Sequence, residues 1–334
     1  MVRVRFAPSP TGSLHLGNAL SAVANRTFAD EHGGTMLLRI DDTDQARNVE
    51  GGAGEIAADL EWLGIRWDEG PVHQSSRFIR HREAAHQIGQ PDAEGALRFG
   101  RTTLLRPDGS PTYQLASAVD DVDFEITHVI RGSDHRANAE LQSELIRALG
   151  AEPPEFIHHG LLLGEDGTKL SKRHGASTIA DLRAAGIPAE AVRAYLDELG
   201  IPKHDVHLDL ARLKRLSVDA LAALSDQELA DRVGVDVSLV PVLRGARDLA
   251  EARDYAQIVL KPERVDVDAP ETLVRFRELV EAGVEPRAVI RELKAVGGDL
   301  KSLRLVLTGR ERGPELAAVI AALPPDELVR RSLG

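Results

Sequence analysis

At 334 residues the chain is too long for one ordinary domain, and two or three are expected. Its formal net charge of −12 argues against indiscriminate nucleic-acid binding, which needs positive charge facing phosphate, but leaves room for a specific RNA held by a local basic patch. The lack of cysteine excludes disulfides and thiolate zinc sites, and no run of about eighteen apolar residues offers a membrane span.

The opening Met1-Val2-Arg3-Val4-Arg5-Phe6 reads as a strand, with neither the apolar core nor the cleavage site of a secretion signal, so a cytoplasmic protein is expected. Residues 2–7 alternate and are rich in β-formers. Pro8-Ser9-Pro10-Thr11-Gly12-Ser13 then forbids a regular element. Over residues 14–31 apolar side chains recur at helical spacing until Gly33-Gly34. Residues 35–40 form a second apolar strand that runs into Asp41-Asp42-Thr43-Asp44. Strand, loop, helix and strand make a β-α-β unit and hence a parallel sheet. Ligands of such sheets bind beyond the carboxyl ends of the strands, where the proline loop and the aspartate cluster both fall.

A helix is expected over residues 54–63, then a short polar stretch from 74 to 106 with turns at Gln90-Pro91-Asp92 and Pro107-Asp108-Gly109. Strand-like pieces return at 112–118 and 126–131, a helix covers 137–149, and 155–163 is another apolar strand. Beyond residue 177 the pattern is helical only. Ser225-Asp226-Gln227-Glu228 is a capping-box signature. Gly313-Pro314 puts proline in the first turn of a helix that runs to residue 323, and Pro324-Pro325 precedes the last one. The fold class is therefore α/β: a Rossmann-like parallel-sheet catalytic domain over residues 1–176, a linking helical segment over 177–216, and an all-α region over 217–334.

Two motifs carry chemistry. His15-Leu16-Gly17-Asn18 opens the helix after the first strand, where free N–H groups and the positive end of the dipole suit a polyphosphate. His15 and Asn18 could reach one phosphate, and Gly17 would let a flat base approach the backbone. Lys169-Leu170-Ser171-Lys172-Arg173 follows the turn Gly164-Glu165-Asp166-Gly167, and two lysines three apart can neutralise charge that builds on a phosphate. Each motif alone is weak: an exposed histidine at a helix start and a basic surface loop are common. No histidine spacing favours a metal, neither His81 with His86 nor His158 with His159, so no protein-held metal is expected.

Together, in this order and at the two ends of one α/β domain, the motifs are the two signatures of class I aminoacyl-tRNA synthetases. The flanking Arg5-Phe6-Ala7-Pro8-Ser9-Pro10-Thr11-Gly12 and Leu38-Arg39-Ile40-Asp41-Asp42-Thr43-Asp44 resemble the opening of glutamyl-tRNA synthetases. So do Pro111-Thr112-Tyr113, Val119-Asp120-Asp121 and Ile126-Thr127-His128-Val129-Ile130-Arg131-Gly132. The resemblance is dense over about residues 1–80 and 104–200, and returns faintly in Val306-Leu307-Thr308-Gly309-Arg310 with Gly313-Pro314-Glu315-Leu316. It implies glutamate–tRNA ligase activity, with an anticodon-binding-like helical end. ATP activates L-glutamate to glutamyl-adenylate, which is then passed to the 3′ end of tRNA, tRNA-Glu or also tRNA-Gln.

By resemblance, His15, Asn18, Lys169 and Lys172 are catalytic, and Pro10, Thr11, Gly17 and Ser171 contact ATP, which brings Mg²⁺ with it. Arg5 and Arg131 would hold the glutamate carboxylate, with Ser9 and Tyr113 as hydrogen-bonding partners; Asp41, where many family members carry glutamate, would face the amino group. Asp44 and Arg47 would meet tRNA, and no zinc is expected. The chain departs from the family where an acceptor-binding domain is usually inserted, for residues 75–105 leave only a much reduced insertion. Two other readings stay open: a paralogue that delivers activated glutamate to a modified tRNA base, a carrier protein or a small amine, and a non-catalytic tRNA- or nucleotide-binding module.

Overall fold

The computed structural model describes residues 1–164, 166–168, 170 and 178–333. The chain divides into two compact units, Met1–Arg183 with Val192–Leu210, and Ala184–Ala191 with Ala211–Gly334. In the first, β1 (Arg3–Phe6), α1 (Leu16–Glu31), β2 (Thr35–Ile40), α2 (Gly52–Trp62) and β3 (Glu69–His73) make two successive β-α-β crossovers. Both strand pairs are parallel. Met36, Leu37, Leu38 and Ile40 of β2 are buried, the apolar run that a strand covered on both faces needs. Leu16, Ala19, Leu20 and Val23 recur at helical spacing on α1 and are buried too.

Residues 74–106 hold α3 (Phe78–Ile88) and an antiparallel sheet of β4 (Gln90–Pro91), β5 (Leu97–Phe99) and β6 (Thr102–Leu105). α4 (Tyr113–Asp123), β7 (His128–Gly132), α5 (Arg136–Ala148) and β8 (Glu155–His159) follow, with β7 and β8 parallel. Thr127 links the halves: its N–H donates to the Arg3 carbonyl at 2.9 Å, and its carbonyl accepts from Glu155 N–H at 2.9 Å. The small insertion folds because it shares a core with the helices beside it, Ala84, Leu97 and Leu104 packing with Leu115, Val119 and Leu145. β9 (Leu162–Leu163), α6 (Ile179–Ala184), α7 (Ala189–Leu199) and β10 (Val206–His207) come next, β9 and β10 pairing in parallel.

The remaining elements are helical: α8 (Leu210–Ala223), α9 (Asp226–Val233), α10 (Val240–Leu243), α11 (Leu249–Leu260), α12 (Pro270–Glu281), α13 (Pro286–Ala295), α14 (Leu300–Thr308), α15 (Leu316–Ala322) and α16 (Pro325–Arg331). Ser225 and Glu228 exchange the two bonds of a capping box at the start of α9. Phe276, Leu293, Leu303, Leu307 and Val319 centre the core of the second unit. No described helix is long and apolar enough to cross a membrane.

Four expectations need correcting. Residues 112–118 are not a strand but the start of α4, because Leu115, Val119 and Val122 form a helical stripe that packs into the shared core. The strand expected over 155–163 breaks at Gly160, whose N–H donates to the Pro202 carbonyl at 2.7 Å and whose missing side chain leaves room for the His204 backbone. The segment beyond residue 177 also contains a strand, β10, which pairs with β9. Pro314 stands outside its helix, which begins at Leu316 after an N-cap at Glu315.

Candidate active site

β1 ends at Phe6, and the proline loop carries the chain across the carboxyl edge of the sheet to α1. The loop is tied from both sides: Pro8 carbonyl accepts from Asp41 N–H and Pro10 carbonyl from Val49 N–H, each at 2.9 Å. A side chain on Gly52 would stand 2.7 Å from the Pro10 oxygen, so glycine there lets α2 start against the loop. His15 is the N-cap of α1, and its carbonyl accepts from Asn18 and Ala19 N–H at 2.9 and 3.0 Å. His15 Nδ1 is buried and has no hydrogen-bond partner among the described residues.

A cleft of about 750 Å³ opens here. It brings together Arg5, Ser9, Thr11, His15, Gly17, Asn18, Asp41, Asp44, Arg47, Tyr113 and Arg131 from the residues expected to form the site. Leu170 lines it as well. Pro10 is buried beneath it and does not line it. Lys169, Ser171 and Lys172 lie outside the described residues.

Arg5 and Asp41 of the lining join the buried Arg39 and Asp121 in a network of ion pairs. Arg5 donates to Asp121 at 3.2 Å, and Arg39 donates to the same oxygen at 2.7 Å. Arg39 also grips Asp41 through both oxygens, at 2.7 and 3.3 Å. Burial works against the Arg39 charge, but Asp41 and Asp121 more than offset it and hold its pKa well above the ordinary value. Burial raises the Asp41 carboxyl, and Arg39 opposes that shift. Arg131, 6 % exposed, is the third cation, and both of its terminal nitrogens are buried without a partner among the described residues. Burial first, and then the charge of Arg5, pushes its pKa down. Asp41 and Asp121 thus pair with Arg39 and Arg5, while the terminal nitrogens of Arg131 have no acceptor among the described residues and suit a ligand anion.

Two histidines of β8 stand at this edge. Arg131 Nε lies 3.5 Å from His158 Nε2, and burial together with Arg131 depresses the His158 pKa to about 4. That imidazole is neutral at pH 7 and adds no charge that competes with Arg131. His159 Nδ1 lies 2.8 Å from the Gly160 carbonyl, which can only accept, so the proton sits on Nδ1. Nε2 then accepts from Ser21 Oγ at 2.7 Å. Burial lowers the His159 pKa and keeps that tautomer neutral. Ser21, Arg106, His135, Asn138 and His159 line the cleft although the motifs did not single them out for it. The available signal was position, since His159 ends a parallel strand.

A helix start at the carboxyl edge of a parallel sheet, with a buried cation in the same cleft, is the plan expected of a class I synthetase. The family described as tRNA synthetases class I (E and Q), catalytic domain, matches residues 1–91 and 94–225, and the chain belongs to that family. Over its length it is similar to glutamate–tRNA ligase 1 of Rubrobacter xylanophilus, 35% identical over 420 aligned residues that cover 99% of this chain and 96% of the relative. It is similar also to glutamate–tRNA ligase 2 of Rhodospirillum rubrum, 31% identical over 458 residues, with 99% and 98% covered. Both alignments are longer than this chain, so the relatives carry stretches for which it has no counterpart. The fold is that of the crystal structure of a glutamate tRNA ligase from Elizabethkingia meningosepticum in complex with its amino acid, with a TM-score of 0.79 at 23% identity over 99% of this chain and 98% of that one.

Proposed function

We propose that the chain is a glutamate–tRNA ligase, acting in the cytoplasm on L-glutamate, ATP with its Mg²⁺, and tRNA. The observation that carries the reading is Arg131, a buried cation whose two terminal nitrogens have no acceptor among the described residues, in the same cleft as His15 and Asn18. A side-chain carboxylate of the substrate meets both terminal nitrogens with two parallel bonds, whereas the amide of glutamine offers one oxygen and a donor that Arg131 cannot accept. Ser9 and Tyr113 assist at the carboxylate, and Asp41 turns its remaining lone pairs to the amino group. Arg5, already half-neutralised by Asp121, reinforces the field without competing for the same geometry.

With the amino acid held there, its α-carboxylate oxygen attacks the α-phosphorus of ATP. The bond from that phosphorus to the bridging oxygen breaks, and pyrophosphate leaves with the electron pair. His15 and Asn18, with the first-turn N–H groups of α1, hold phosphate oxygens; Gly17 and Thr11 line the nucleotide's path, and the buried Pro10 shapes the loop that carries Thr11. Lys169, Ser171 and Lys172 complete the phosphate site from the second motif. The protein's part is positioning and charge stabilisation, since the displacement itself needs no covalent help from a side chain. A hydroxyl of the terminal tRNA ribose then attacks the glutamyl carbonyl and releases AMP. Asp44 and Arg47, exposed at the rim, meet the arriving tRNA, and the helical residues 217–334 read its anticodon.

Glutamyl transfer to purified tRNA-Glu and tRNA-Gln tests this directly. Charging is expected, and periodate oxidation of the tRNA ribose beforehand is expected to abolish it. Transfer that survives periodate would mean an acceptor other than the 3′ end.

A further inference from the structure

We propose that Asp59, on α2, is a positioning residue for ATP activation: its buried carboxylate fixes the turn from which α1 presents His15 and Asn18. This rests on the assignment of those two side chains to the nucleotide. Asp59 is 3 % exposed and does not line the cleft. Its Oδ2 accepts from Ser13 Oγ at 2.7 Å and from Leu14 N–H at 2.9 Å. Its Oδ1 accepts from Arg183 at 3.2 Å, and that guanidinium also lies 4.9 Å from the centre of the Trp62 ring.

The same turn is held from its other side. Ser13 Oγ, having donated its proton to Asp59, accepts from Ala180 N–H at 3.0 Å. The Leu14 carbonyl accepts from Ile179 N–H at 2.8 Å. His15 and Thr178 form a bridge of their own. Leu14 therefore has its N–H, its carbonyl and its buried side chain all fixed, one residue before the N-cap. The imidazole has no such anchor: His15 Nδ1 is unbonded among the described residues, so the ring takes its place from the turn. Asp59 is where α2, the proline loop and the segment after the second motif converge.

The chemistry calls for a carboxylate. Three donors meet two oxygens, and an amide would turn its own N–H₂ toward one of those donors. Asp59→Ala removes both acceptors; Asp59→Asn keeps the shape and one of them. Ser13→Ala on each background reports whether the two groups act through one contact.

Two measurements are made on the full chain: amide hydrogen exchange at Leu14, and the kinetics of glutamate-dependent ATP–pyrophosphate exchange. In Asp59→Ala, protection at Leu14 falls about tenfold or more. kcat/KM for ATP falls about a hundredfold, because a displaced helix start misplaces the reacting phosphorus. KM for glutamate stays within about threefold of the parent, since the arginine network is untouched. Asp59→Asn lies between the two, and Ser13→Ala adds little once Asp59 is gone. Unchanged protection at Leu14 overturns the inference alone, whatever the activity. Equal losses toward ATP and glutamate overturn it as well, by showing a general structural role. A parent chain that gives no exchange with any amino acid, even with tRNA present, overturns the functional reading, and the catalytic half of this inference with it.

Discussion

Among the described residues neither terminal nitrogen of the buried Arg131 has an acceptor, and a folded chain does not keep such a group for stability. Replacing it with an apolar side chain of similar length should relieve that cost. Arg131→Met is expected to stabilise the unliganded chain by about 1 kcal/mol in urea unfolding, while raising KM for glutamate about a hundredfold or more. A destabilised variant would mean that the guanidinium has a partner in the resting protein. His158, behind it, carries a pH signature. A histidine whose folded pKa lies near 4 binds protons more readily when unfolded, so stability falls as pH drops from about 6.5 toward 4. His158→Gln removes that contribution. Unfolding midpoints of the variant are expected to depend less on pH across this window than those of the parent, and parallel curves would contradict the assignment.

The elements that the sequence made readable are those whose periodicity is locally sufficient. β1, α1 and β2 follow from alternation, helical recurrence and an apolar run, and the proline loop from its composition. α4 was not readable in the same way. Its first residues look like a strand over seven positions, and only the stripe Leu115, Val119 and Val122 betrays a helix, because the core it packs into is built from α3, the small antiparallel sheet and α5, which no local pattern shows. The break at Gly160 depends on the His204 backbone, which no local pattern announces. The cleft shows the same division: the motif residues Arg5, His15 and Asn18 stand out as residue types, whereas Ser21 is tied to the site by its 2.7 Å contact with His159, whose own signal was its place at the end of a strand.

In the helical unit one tertiary clamp invites a test at this scale. Arg331 of α16 donates to Glu327 at 2.6 Å and to the carbonyls of Leu307 and Val259, each at 2.8 Å, so it ties the last helix to the ends of α14 and α11. Arg331→Met leaves those two carbonyls without their donor. The helical unit is expected to lose about 2–3 kcal/mol in denaturant unfolding. A loss below about 0.5 kcal/mol would mean that water replaces the clamp freely.

For the whole molecule, charge and size bear on the same question. With a net charge of −12 the chain repels a polyanion except where Lys and Arg cluster, and the insertion that remains between the two halves of the sheet offers little surface. The relatives that align over its full length carry more sequence than it does, so this chain performs its chemistry on a smaller frame. Arg5, Tyr113 and Arg131 of the cleft come from β1, α4 and β7, outside the reduced insertion over residues 75–105. The most direct measurement is ATP–pyrophosphate exchange with glutamate, glutamine and aspartate in turn, each with and without tRNA. Exchange with glutamate, exceeding that with glutamine by about 10³ or more, is the result that a pocket built around Arg131 demands. Equal exchange with glutamate and glutamine, or none with any of the three in the presence of tRNA, would contradict it.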